Sequence, residues 1–587
     1  MLLTTDLPTH QGSTAASHTK TWHLLRTPNL RNPNLAQLRQ SVRDYFCNTF
    51  AVYDDLFTCL RTDAAYYEKP IALRHPLIFY LGHTATFFIN KLVLARLIDT
   101  RINPRFESLF AVGVDEMSWD DLGVELNAWP KVAEVKAYRR HVRELVLSLI
   151  DTLPLTGPID WQSPWWAIVM GIEHERIHLE TSSVLIRQHQ LHHVQPQKNW
   201  PVCPSAGAAP TNYLVPVTGG VVHLGKKFDA PFYGWDNEYG EHSTQVRDFS
   251  AARYLVSNAE YKTFVDAGGY SNSQYWDEEG QGWLSYTGAI YPTFWREKNG
   301  EYFLRTMTEE IPMPWNWPVE VNCLEADAFC RWKSAELGQT LRLPTEDEWY
   351  RLYEVAGCSE VGELAAGNLH LDYFASACPV NQFAQGDFYD VTGNVWQWTQ
   401  TPMYPFEGFE VHPLYDDFTA PTFDNRHNLI KGGSFIACGN ESLKSARYAF
   451  RRHFFQHAGF RYVVGDEVNQ VPQSHYETDK LMSEYAEFHY GDEYFAVPNF
   501  PAALVNWVRP YLASKPRSKA LDLGCASGRA SFELARDFAS VIGIDFSARF
   551  INQGVQLAEQ GLLRYTLVEE GELVSYKSRS LEQLGLA

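Results

Sequence analysis

His174 and His178 stand four residues apart in the segment GIEHERIHLETSS. On a helix that spacing puts both imidazoles on one face, one turn apart, where they can reach a single metal ion. Glu180 follows two residues after His178, about 200° round the helix, so a supporting or structural role is expected of it rather than ligation. The text H-E-R-I-H also fits the HExxH signature of zinc proteases, in which Glu175 would act as general base. No third-ligand motif of that class follows closely, so a third ligand is expected from another helix. His83, in YLGHTATFFIN, lies in the middle of an apolar helical segment, and a buried imidazole there wants a hydrogen-bond partner or a metal. His75 at a helix start and the His192–His193 pair in a polar tail are weaker candidates. Three neutral imidazoles leave coordination positions open, which suits zinc, or an iron that takes substrate and O2 together.

The elements that must position these side chains are helical. The segments NLAQLRQSVRDYFCNTFAVYDDLF, IFYLGHTATFFINKLVLARLI, VAEVKAYRRHVRELVLSLIDTL and SPWWAIVMGIEHERIHLETSSVLIRQHQ carry apolar residues at helical spacing. They predict a four-helix bundle with the histidines inside it. A chain of 587 residues is too long for one core. Residues 1–21 are Thr/Ser/His-rich and are expected to be disordered, and the metal-binding bundle is placed over 22–195. A Pro/Ala/Gly-rich linker follows over 196–215. Over 216–466, short strand-like pieces alternate with Gly, Asn, Asp and Pro, which predicts an irregular α+β domain with much loop.

A third unit is placed over 476–587. There KALDLGCASGRASFELARDFASVIGIDFS reads strand, glycine loop, helix, strand, a partial Rossmann-like α/β pattern. Gly524 and Gly528 let the backbone turn tightly under a nucleotide-like ligand after the strand ending near Asp522, and Asp545 ends the next strand where a ribose could be held. The segment is shorter than a full domain of this kind, and it is expected to be truncated and unable to methylate.

Net charge is −20, from 50 basic and 70 acidic residues, which opposes binding to nucleic acid or to anionic membranes. No secretory leader and no run of about 18 apolar residues is read, so a cytoplasmic location without membrane contact is expected. The nine cysteines are scattered without a CxxC pair, which predicts reduced thiols rather than a disulfide framework or a cysteine zinc site.

Two sets of motifs carry a family resemblance. YLGHTATFF paired with HERIHLE resembles the DinB-like bundle of the sulfoxide synthases of thiohistidine biosynthesis. GWDNEYGEHSTQV, PVEVNCLEADAFCRW, LRLPTEDEWYRL, YDVTGNVWQW, IKGGSF and AGFRYV, in that order, resemble the formylglycine-generating-enzyme (FGE-sulfatase, C-type-lectin-like) fold. With the C-terminal methyltransferase motif, the whole is similar to the OvoA-like 5-histidylcysteine sulfoxide synthases of ovothiol biosynthesis. The EgtB-like enzymes, which act on hercynine and a thiol toward ergothioneine, are the alternative branch. The resemblance implies Fe(2+) held by His83, His174 and His178, O2 as co-substrate, and L-cysteine and L-histidine as substrates. It implies S-adenosylmethionine for the third unit if that unit is complete. It also implies a tyrosine, from the loop after GNVWQW, that donates a proton and suppresses simple thiol oxidation. Tyr404 in YPFEGF is the first choice and Tyr415 the second. Arg447, Arg451, Arg452 and His453 are candidates to hold substrate carboxylates. A zinc hydrolase or thiol transferase on the bundle, and a non-catalytic binding module, are the competing readings.

Overall fold

The computed structural model describes residues 24–111, 129–359, 367–415, 418–465, 479–512, 515–545, 547–570 and 573–586. The segment expected to be disordered, 1–21, lies outside them. Four long helices form the bundle: α1 (Leu35–Leu56), α2 (Leu77–Leu94), α3 (Val132–Thr152) and α4 (Trp165–Gln188). The Asn34 side chain caps α1 by accepting from the Gln37 amide, and the helix buries Leu38, Val42, Tyr45, Phe46, Thr49, Tyr53 and Leu56 along one stripe. Helix α2 passes, by length and mean hydropathy, for a membrane span, although His83, Asn90 and Lys91 interrupt its apolar run. It is 72% buried inside the protein, because it packs against both α3 and α4.

The chain leaves the bundle through an irregular stretch that is nonetheless docked. Trp200 and Cys203 are buried in it, and the Trp200 indole donates to Asp55 of α1. The second domain is sheet-rich and irregular, as expected. Strands β1 (Leu214–Val217), β2 (Phe249–Ala252) and Val463–Val464 form an antiparallel sheet with the Phe249 strand in the centre. A four-stranded sheet runs Tyr448–Arg451, His427–Lys431, Trp396–Pro402, Ala458–Gly459, the last pair parallel. The helices Cys323–Leu337 and Glu346–Val355 both start in capping boxes, Asn322 with Glu325 and Thr345 with Glu348. One apolar core runs through both units, joining Phe88 and Met170 of the bundle to Trp235, Trp317 and Trp398 of the second domain.

In the third unit Ala520–Leu523 pairs in parallel with Val541–Ile544, with the helix Arg529–Ala535 between them in sequence. An antiparallel hairpin, Leu562–Glu570 with Leu573–Ser580, follows. Parallel strands are ordinarily covered on both faces, but Leu523 is 72% and Ile542 54% exposed here.

Candidate metal centre

Helix α4 is buried along nearly its whole length although, besides His174 and its apolar residues, it carries eight buried charged or hydroxyl-bearing ones. Buried polar groups need partners, and at about 100° per residue those of α4 sort into three stripes. Residues 173, 180, 183 and 187 face the second domain. There Glu173 accepts from the Asn440 amide at 3.0 Å, and Glu180 accepts from the Trp396 indole and the Ser434 hydroxyl, both at 3.0 Å. Ser183 meets His457 Nε2 at 2.8 Å, and Arg187 pairs with Glu320 and donates to the Arg305 carbonyl. Residues 175 and 182 face the bundle, where Glu175 pairs with Arg139 at 2.8 Å and Ser182 meets the Tyr53 hydroxyl at 3.0 Å. The third stripe is His174 and His178.

Those two histidines meet His83 of α2. One ring nitrogen from each of the three lies within 4.8 Å of the others. Ring centroids are 5.0 Å (His83–His174), 4.7 Å (His83–His178) and 4.5 Å (His174–His178) apart. Glycine makes the approach of α2 and α4 achievable, since a Cβ on Gly171 would stand 2.3 Å from the Phe88 ring; on the other side of α2, one on Gly82 would stand 2.6 Å from Phe110, which follows the short helix Pro104–Leu109. His83 Nδ1 lies 2.6 Å from the Phe110 carbonyl. A carbonyl only accepts, so Nδ1 carries the proton and Nε2 keeps its lone pair. His174 is buried with neither ring nitrogen hydrogen-bonded, and burial together with its two histidine neighbours holds it well below the usual imidazole range. A neutral buried imidazole with two unsatisfied nitrogens beside two more imidazoles fits a metal ion as the missing partner. Phe79 stacks on His83 at 5.0 Å and Phe87 on His174 at 3.6 Å, so α2 supplies both a ligand-type residue and its flanking rings.

The zinc-protease reading is disfavoured by geometry, since the Glu175 carboxylate is held by Arg139 inside the bundle rather than free to act as a base at the cluster. Glu180 holds the domain interface, as a structural role would have it. His193 pairs with Glu68, and His75 packs on Phe79 at 4.4 Å, outside the three-histidine cluster.

The two candidate tyrosines separate. Tyr404, the first choice, packs against Phe406 and His242 in the second domain's own smaller core, with the Arg447 guanidinium 4.9 Å from its ring. Tyr415 lies 6.1 Å from the His174 ring and 4.9 Å from Phe87, with the Lys91 ammonium 4.1 Å from its ring centroid. The structure therefore brings Tyr415, not Tyr404, to the histidines. Both come from one aperiodic loop, and only the tertiary path of that loop distinguishes them.

Among the proposed carboxylate binders, Arg447 is consumed by both oxygens of Glu346 and by the carbonyls of Asn237 and Tyr404. Arg452 is held by Asn428, Glu279 and the Asn425 carbonyl. His453 is buried against Phe454, and Arg74 lies over that same Phe454 ring and donates to the Tyr80 hydroxyl. Tyr80 in turn faces His178 at 6.1 Å. Sequence reasoning missed Arg74 and Lys91. Lys91 had a signal, two turns beyond His83 on the same helix face.

In the third unit, Gly524 and Gly528 adopt φ of +73° and +88°, which explains the glycines by backbone alone. Asp545 turns inward, its two oxygens accepting from the Ala526 and Ser547 amides, and Asp522 accepts from Ser531. All nine cysteines are free thiols.

Comparison with known proteins divides the chain in the same sense. Residues 46–182 match the DinB superfamily, 201–465 the sulfatase-modifying factor enzyme 1-like domain, and 514–573 a methyltransferase domain. A hercynine oxygenase from Mycolicibacterium smegmatis is 30% identical over 348 residues, covering 55% of this chain and 76% of the relative. Ergothioneine biosynthesis protein 1 from Schizosaccharomyces pombe is 25% identical, covering 68% of this chain and 52% of the relative. Among solved structures, PvdO from Pseudomonas aeruginosa aligns with 44% of this chain at 16% identity and a TM-score of 0.30.

Proposed function

Because the chain belongs to the hercynine oxygenase family, we propose that it is a sulfoxide synthase that joins a thiol sulfur to the imidazole ring of hercynine with O2 as oxidant. The observation that carries this reading is the cluster of His83, His174 and His178, with both nitrogens of His174 unsatisfied, facing Tyr415 across the domain interface. The relatives are named for hercynine and ergothioneine, which favours hercynine over the free histidine expected from the methyltransferase motif. Formation of 5-histidylcysteine sulfoxide on the way to ovothiol finds no support among them.

The overall change breaks the thiol S–H and one ring C–H bond and forms C–S and S–O bonds. One oxygen of O2 ends in the sulfoxide and the other in water. Ferrous iron held by the three histidines would supply the redox chemistry and the open positions that bring thiol and O2 together. The protein does the rest. The Phe110 carbonyl fixes the His83 tautomer, so the ligand lone pair is presented without reorganisation. Phe79 and Phe87 cover the imidazoles and keep water from two of them. Tyr415 holds a proton at Oη on the side of His174, and Lys91 fixes the ring and attracts a substrate carboxylate.

The test is to load the protein with Fe(II) anaerobically, then admit O2 with cysteine and either hercynine or histidine, and read the products by mass spectrometry. The expected product is the C–S-coupled sulfoxide of hercynine, formed at least about tenfold faster than that of histidine, a difference of about 1.4 kcal/mol. No coupled product with either acceptor would overturn the synthase reading. A preference for histidine would overturn the choice of acceptor.

A further inference from the structure

Beside the histidine cluster is a small pocket walled almost wholly by rings. Trp166 of α4 and Tyr233 stack with centroids 4.7 Å apart, Trp235 meets Phe418 at 4.4 Å, and Tyr415 lies 6.0 Å from Trp235. Met170, one turn before His174 on α4, lines the same space. So does a single carboxylate, Asp236, which is only 4% exposed. Its Oδ1 accepts from the Thr419 hydroxyl and the backbone amides of His412 and Asn237 also act on the carboxylate, while its Oδ2 is buried with no partner in hydrogen-bonding geometry. No lysine or arginine lines the pocket among the described residues. His412 lines it too, but burial lowers its pKa to about 4, so at neutral pH it contributes no positive charge.

A buried carboxylate oxygen without a donor is costly unless something that carries N–H or positive charge reaches it. Ring faces, for their part, attract a cation through their quadrupoles. The rings accept any small cation, quaternary ammonium included, and it is the Asp236 oxygen that selects one with hydrogens to donate. We propose that this pocket takes the primary ammonium group of the thiol substrate, with Asp236 Oδ2 accepting one of its hydrogens and the Trp166, Tyr233 and Trp235 rings around it. The assignment rests on the sulfoxide synthase reading and sharpens it. Hercynine carries a trimethylammonium group, which has no N–H to give Oδ2, so of the two substrates only an amino-acid thiol satisfies the site. Tyr415 lines the pocket and also faces His174, so a short molecule passing its edge has its amine in the pocket and its sulfur toward the histidines.

Binding decides the matter independently of turnover. The Fe(II)-loaded full chain is titrated under argon, by calorimetry, with cysteine and with 3-mercaptopropionate, which keeps the thiol and carboxylate but lacks the amine. Cysteine is expected to bind roughly thirtyfold or more tightly than the deamino thiol, the scale of losing one partner of a buried charge pair. Asp236→Asn is expected to reduce that ratio to about threefold or less, on the same scale, while leaving the affinities for 3-mercaptopropionate and hercynine unchanged. Equal binding of the two thiols by the wild-type protein overturns the proposal, as does an Asp236→Asn variant that loses hercynine rather than cysteine. Should Asp236→Asn fail to fold, the wild-type comparison still decides, together with Trp166→Phe, which is expected to weaken cysteine alone. If coupled product forms from both thiols with equal KM, the subsite assignment fails and the synthase reading stands. If neither thiol binds and no coupled product forms, the synthase reading itself fails.

Discussion

His174 gains nothing from hydrogen bonds at either ring nitrogen, so its place in the core makes sense through a bound ion. Adding Fe(II) anaerobically is expected to raise the Tm of the wild-type protein, because an ion that binds only the folded state stabilises it by mass action, and to leave that of His174→Ala unmoved. Differential scanning calorimetry reads both. Tyr415→Phe should shift products away from the coupled sulfoxide toward oxidation of the thiol alone. Tyr404→Phe should keep the wild-type partition, since Tyr404 packs on Phe406 and Arg447 rather than at the cluster. Mass analysis of the two variants side by side checks this. At His412 the folded state holds the imidazole pKa near 4, below its ordinary 6.5. The unfolded chain therefore binds more protons between those values, and the stability conferred by a neutral His412 is lost as pH falls through that window. His412→Gln should flatten the acid limb of a Tm–pH curve.

At the scale of elements, the histidine pair was readable from spacing because a helix repeats, and His83 stood out as a polar residue inside an apolar helix. The loop holding Tyr404 and Tyr415 has no period, so the order of those two could not be read. Arg447 looked like a free fork for a carboxylate, and nothing local announced that Glu346, about a hundred residues earlier, would occupy it. Asp236 lies far from the histidines in sequence and joins them only through the packing of the second domain on α4. The approach of α2 to α4 is set by Gly171 against Phe88, which makes it testable. Gly171→Ala puts a methyl group against Phe88 and is expected to cost about 1–3 kcal/mol through overpacking. Metal affinity should fall with it as His83 is pushed from His174, and Phe88→Leu should restore both, read by thermal melting and metal titration.

At the scale of the whole molecule, bundle and second domain share one core, and the buried polar residues of α4 fasten them together. Burial, with the Glu441 carboxyl nearby, pushes the Glu180 carboxyl well above the usual carboxylate range, while its Oε2 accepts from Trp396 and Ser434. Glu180→Gln should therefore be tolerated, with Tm nearly unchanged. Glu180→Ala strands the Trp396 and Ser434 donors and should cost about 1–3 kcal/mol, with faster proteolytic cutting between the domains. The three stripes of α4 carry a consequence for how this chain can vary in length. Inserting or deleting one residue between His174 and His178 turns everything beyond it by about 100°. His178 would leave His174, and at the same stroke Glu180, Ser183 and Arg187 would lose the groups they bind in the second domain. Loss of metal and loss of domain docking are thus a single event for a change of frame between the two histidines, whereas an individual side-chain replacement can separate them.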